Sequence, residues 1–178
     1  MADPVCVPPV KLVVAILWSD EERRRTAMKR LGEHFGPIDF EGPSHLFDAT
    51  DFYDQEMGRP IWRQWIAHQL LVAPESLVDA KETTNRIEDE LRQDGSRKVN
   101  LDVGYLDMHK VVLASMKPAG QKIHLARGVY ADLSLRYARG GYQPLEWTFL
   151  DLRDGRYSAD LLSIRGILKD GLRAWGPA

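Results

Sequence analysis

Three stretches between residues 97 and 137 alternate apolar and polar positions with a period of two. In Lys98–Gly104, Val99, Leu101 and Val103 oppose Lys98, Asn100 and Asp102. In Lys122–Leu125, Ile123 and Leu125 oppose Lys122 and His124. In Val129–Tyr137 the odd positions are apolar, and Tyr130, Asp132, Ser134 and Arg136 share the other face. Successive side chains of a strand point to opposite faces, so this pattern predicts three half-buried strands.

The remaining chain reads as support for that sheet. Lys11–Trp18 is apolar on both faces, which predicts a central strand covered on both sides. Ser19 and Glu22 form a Ser-x-x-Glu capping box at the head of a helix whose stripe is Ala27, Leu31 and Phe35. Gly36-Pro37 ends it. Ile38–Phe47 reads as extended, with a bend at Glu41-Gly42-Pro43. In Pro60–Val72 the residues Ile61, Trp62, Trp65, Ile66 and Leu70 fit helix spacing as well as strand. Strand is preferred, because a second helix begins just after it near Pro74-Glu75 and runs to about Gln93.

The order strand, helix, strand, strand, helix, strand is the split βαβ pattern. Further on, Asp107 is expected to cap a short helix from Met108 to Ser115. Tyr142–Phe149 returns as a strand that Pro144 places at an edge. Residues 159–172 form a closing helix. The predicted fold is α+β: a ferredoxin-like core extended by an antiparallel C-terminal sheet and a closing helix. It is read as one domain over residues 1–178, with an irregular arm at 1–10 that holds three prolines.

Composition narrows the picture. The 178 residues are 44% hydrophobic and 28% charged, ordinary proportions for a soluble domain. The net charge of -2 gives no broad electrostatic footprint for nucleic acid. The one cysteine, Cys6, excludes an internal disulfide and a Cys-rich zinc site. The apolar run Leu12–Trp18 is too short to span a bilayer, and no basic segment leads into it. A cytoplasmic protein without membrane contact is expected.

Several blocks carry a family resemblance. They are Val10-Lys11-Leu12 with Ser19-Asp20-Glu21, Phe35-Gly36-Pro37-Ile38-Asp39, and Asp51-Phe52-Tyr53 with Glu56-Met57-Gly58. The most specific block is Arg97–Leu106 continuing through Lys110–Ser115. Gly128–Ala131 and Gln143–Thr148 complete the set. Together they resemble the DUF4416 family of uncharacterised bacterial proteins over nearly the whole chain, which implies no particular activity.

Candidate chemistry lies first on the polar face of the three alternating stretches. Asn and Asp are poor strand formers, yet Asn100, Asp102 and Asp132 sit inside strand-like runs. If the strands adjoin, His124 can act as a general base between the carboxylates of Asp102 and Asp132. Lys98, Asn100, Arg127, Tyr130 and Arg136 can hold an anion, and Trp147 can stack on a ring. The simpler reading is that an antiparallel sheet leaves one face in water, where charge pairs are ordinary. A second cluster, Asp48 and Asp51 with neighbouring acids, has hard oxygen ligands suited to a divalent metal ion, although its spacing is not that of an EF-hand. P-loop, G-x-S-x-G, H-E-x-x-H and G-x-G-x-x-G motifs are all absent.

Two functions follow. One is binding, with hydrolysis or transfer, of a small phosphorylated or nucleotide-like ligand on the sheet's polar face. The other is a non-catalytic interaction module, a homodimer through its sheet or through Trp62 and Trp65.

Overall fold

The computed structural model describes Asp3 and residues 5–175. Residues 5–9 hold no helix or strand, and the rest of the expected arm lies partly outside the described residues. Strand β1 (Val10–Trp18) leads into helix α1 (Glu21–Phe35), then β2 (Ile38–Glu41), β3 (His45–Leu46) and the short helix α2 (Asp54–Met57). The long strand β4 (Trp62–Val72) resolves the ambiguous stretch, and a 3-10 turn at Pro74–Ser76 opens helix α3 (Leu77–Glu90). The second half holds β5 (Val99–Leu106), β6 (Lys110–Ser115), β7 (Ile123–Ala126), β8 (Val129–Ala138), β9 (Gly141–Pro144), α4 (Leu150–Arg153) and α5 (Ser158–Ala174).

All nine strands form one sheet in the order β2-β4-β1-β5-β6-β8-β7, with β3 added to β4 and β9 to β8. Every pairing is antiparallel. The protein is therefore a mixed α+β fold built on a nine-stranded antiparallel sheet with five α-helices.

Both faces are covered, which explains the unbroken apolar run of β1. Leu12, Val14 and Ile16 pack beneath α1 and α3 with Val99, Leu101 and Val103. Val13, Ala15 and Trp65 pack on the opposite face against Ile164 and Leu168 of α5. A third cluster of Leu17, Phe47, Met57 and Ile61 seats the 47–61 segment on that second face, beside the end of β1.

Three expectations are corrected. Residues 110–115 form a strand, not a helix. Val111 to Ala114 are all buried, so both faces of this run need cover, and a helix cannot present four successive residues to a core. The Asp107 carboxylate accepts the N–H groups of His109 and Lys110, tying a tight β5–β6 turn instead of capping a helix. The cap of α1 is Asp20, which accepts the Arg23 N–H, while the Ser19 hydroxyl donates to the Met57 carbonyl.

The third correction concerns β8. Its register against β6 shifts between Leu133 and Leu135, where Val112 and Val111 are consecutive partners. The extra residue is a bulge, and it inverts the alternation beyond it. Leu133 packs with the α1/α3 face, and Leu135 with the α5 face. Arg136 is thereby separated from Tyr130 and Asp132, which remain on the second face.

Candidate functional site

The sheet is open along its centre. β5 and β6 pair only at Gly104↔Leu113, Tyr105↔Val112 and Leu106↔Val111. Below Gly104 the two strands part. Gly104 marks the vertex because a Cβ there would lie 2.3 Å from the Val112 carbonyl oxygen, closer than any side chain permits. The gap forms a cleft of about 380 Å³ bounded by α3 on one side of the sheet and by Asn100, Asp102 and Asp132 on the other. This lies within the roughly 300–1,000 Å³ range of small-molecule sites.

Helix side chains replace the missing strand partner. Glu88 on α3 accepts the Leu101 N–H at 2.7 Å and an Arg97 N–H at 3.3 Å. Arg97 also makes a two-pronged pair with Glu56 of α2, both bonds 2.7 Å, and donates to Asn100 at 2.8 Å. Asn100 donates to one Asp102 oxygen and Arg63 to the other, each at 2.9 Å, and Arg63 reaches Asp151 at 2.5 Å. One chain of charge-assisted bonds thus runs from α2 through the cleft to α4. Removal from water raises the Glu88 carboxyl above its ordinary value, against the pull of nearby Lys81. Asp132 is raised by burial as well, opposed by Lys122 at 3.4 Å.

Lys81 stands apart. It lines the cleft, it is 8% exposed, and it makes no hydrogen bond or ion pair among the described residues. Its ammonium opens into the cleft, close enough to Glu88 to act on that carboxylate without a direct bond.

A second cavity of about 380 Å³ adjoins the cleft and shares Tyr53, Asp102, Lys117 and Phe149 with it. Phe47, Phe52, Tyr53 and Phe149 form its aromatic walls, and Arg63 with Asp151 its floor. The Tyr53 phenol, pushed up to about 12 by burial and by the Asp102 charge, stays a donor at neutral pH.

Among the residues read from the sequence, Asn100, Asp102 and Asp132 meet in the cleft. The three alternating strands do not adjoin as expected, because β6 lies between β5 and β8. His124 is exposed on β7, edge-on to Tyr130 at 5.1 Å, and neither lines the cleft. The expected His124 relay with Asp102 and Asp132 is therefore not formed. Lys98 donates to the Met57 carbonyl at 3.1 Å. Arg127 sits in a two-residue hairpin turn with φ 51° and pairs with Asp79 and Glu82, leaving no open anion nest. Arg136 points to the opposite face, and Trp147 donates to the Leu133 carbonyl at 2.8 Å. Trp65 is fully buried and offers no surface to a partner, while Trp62 stacks on Trp18.

Asp48 is held by Arg156, which keeps its carboxyl below the usual range, and Asp51 is exposed. No group of three or more metal-ligating side chains converges among the described residues.

Lys81, Glu88, Arg63, Asp151 and the aromatic rim are not among the candidates the sequence pattern singles out. A signal was present for the first three. Lys81 lies four residues after Leu77 and Glu88 four after Thr84, at the spacing of the buried stripe of α3. Arg63 alternates with Ile61 and Trp65 on a buried face. Charged residues at core spacing are rare without a partner.

Fold and site together define an antiparallel α+β protein with a ligand-sized opening through its sheet. The chain belongs to the family described as Domain of unknown function (DUF4416), whose model matches residues 8–167. Neither the curated proteins nor the solved structures contain a significant match to it. No helix among the described residues is long and apolar enough to cross a membrane.

Proposed function

We propose that the protein binds a small phosphorylated or nucleotide-like ligand in the cleft between β5 and β6. The observation that carries this reading is Lys81, a largely buried side chain that lines the cleft and whose ammonium is in salt-bridge range of no carboxylate among the described residues. Lys117, at the mouth, is a second cation not engaged by a carboxylate among the described residues; it lies over the Phe52 ring at 5.0 Å. The reading is one of binding; His124, the base expected from the sequence, lies outside the cleft.

Titration calorimetry with inorganic phosphate, ribose 5-phosphate and nucleoside monophosphates tests the site. Binding that falls at least tenfold in Lys81→Met, with the fold retained by circular dichroism, supports it. Equal affinity in Lys81→Met removes it.

A ferredoxin-like core is part of the same proposal. Its support is the order β2-β4-β1-β5, which is that of a split βαβ unit, and the packing of α1 and α3 on one face. The interaction-module reading rests on a different observation: Ile123 and Leu125 are 69% and 42% exposed on the edge strand β7. A sedimentation experiment showing a dimer that dissociates in Ile123→Lys would favour it.

A further inference from the structure

Resting on the anion-site reading, we infer that the aromatic chamber beside the cleft receives a planar ring of the same ligand, with N–H donors on its edge. The ligand class is then a nucleoside phosphate, not a sugar phosphate or a free polyanion. Three observations converge.

The first is continuity. The chamber and the cleft share four lining residues, so one molecule can occupy both. Lys117 stands where they meet, with its ammonium over one face of Phe52. A phosphate in the cleft and a ring in the chamber would both lie within its reach.

The second is exposed apolar surface. Phe52, Phe149 and Leu150 are 64%, 50% and 60% exposed, and all three line this one concavity. Large apolar side chains gathered on a single concave rim mark a binding site. Phe52 and Phe47 make T-shaped contacts with Tyr53, with centroids 5.0 and 5.9 Å away; Phe47 is buried with Arg63 over its ring, so the exposed rings are Phe52 and Phe149. Stacking on such faces is tolerant of ring identity.

The third is the floor. Asp102 and Asp151 are acceptor groups, and each of their bonded oxygens retains a free lone pair. Two Arg63 N–H groups are spent on these carboxylates, while its Nε–H is buried without a partner. The floor therefore offers acceptors to the ring edge, which suits an exocyclic amine or a ring N–H. A bare phenyl ring leaves those acceptors dry and unmatched.

Calorimetric titration of the full chain with AMP, CMP, adenosine, phenyl phosphate and ribose 5-phosphate tests this, in the wild type, in Phe52→Ala/Phe149→Ala and in Lys81→Met. The expected result is that AMP and CMP bind about tenfold or more tighter than ribose 5-phosphate and phenyl phosphate, and that the double alanine variant loses this advantage while ribose 5-phosphate affinity is unchanged. Equal affinity for AMP and ribose 5-phosphate, or a loss shared by both in the double variant, overturns the ring inference and leaves the anion site standing. Adenosine that binds as tightly as AMP, with Lys81→Met without effect, keeps the ring chamber and removes the anion site. Absence of binding by every probe overturns both. Both phenylalanines are exposed, so the double variant keeps its core.

Discussion

The Glu88 carboxylate accepts the backbone N–H of Leu101 at 2.7 Å, so a helix side chain fills the place of an absent strand. Glu88→Ala leaves that buried N–H without a partner and should cost about 1–3 kcal/mol. Urea unfolding measures the loss. Glu88→Gln keeps an acceptor oxygen and should be far milder.

The same residue sets a pH dependence. Burial raises its carboxyl above the ordinary 4.5, so the folded state holds the proton more tightly than the unfolded chain. Its contribution to stability is greatest in acid and declines as pH rises from 4.5 through the raised value. A plot of Tm against pH over that window should be flatter in Glu88→Gln than in the wild type. An unchanged slope would show that Arg97 and Lys81 hold the carboxylate charged throughout.

Arg63 is the least replaceable charge. It is 4% exposed and divided between Asp151 and Asp102. Removing one member of a buried pair strands the other, so Asp151→Ala should destabilise by about 3–5 kcal/mol. Arg63→Met combined with Asp151→Leu should recover much of that loss, since apolar residues of similar volume replace buried pairs well. Guanidinium unfolding midpoints of the three proteins decide the matter.

Two glycines should respond in opposite directions. Gly104→Ala drives a methyl into the Val112 carbonyl, 2.3 Å away, and should cost about 1–3 kcal/mol or more. Gly32 lies within α1 with no heavy atom within 4 Å of an added Cβ. Gly32→Ala should therefore stabilise the protein by about 0.5–1 kcal/mol through helix propensity. Thermal unfolding of the two variants should bracket the wild type.

Much of the sheet was legible because period-two patterning acts locally. β5 and the first half of β8 follow from which residues alternate, and β1 from a continuous apolar run bounded by turn signals. β6 was misread because a run buried on both faces has no period, and a nearby Asp suits a turn as well as a cap. That single error hid the site, since the cleft exists only where β6 leaves β5. The bulge in β8 was equally invisible: it is one added residue, seen only against a partner strand. His124 drew notice because histidine is chemically versatile, yet edge strands are where solvated histidines are found. The residues that line the cleft from α3 were legible in principle, since their spacing contradicts their charge. Phe52 and Phe149 carry no such contradiction, and only folding brings residues so far apart in the chain to one rim.

The short seam of three residue pairs at Gly104, Tyr105 and Leu106 has a mechanical meaning. It joins a leaf of β2, β3, β4, β1 and β5 to a leaf of β6, β8, β7 and β9, and so works as a pivot. A molecule lodged below it acts as a strut that fixes the angle between the leaves. The amides of the seam would then exchange with solvent deuterium more slowly when the gap is filled, including those of Tyr105 and Val112, which do not line the gap.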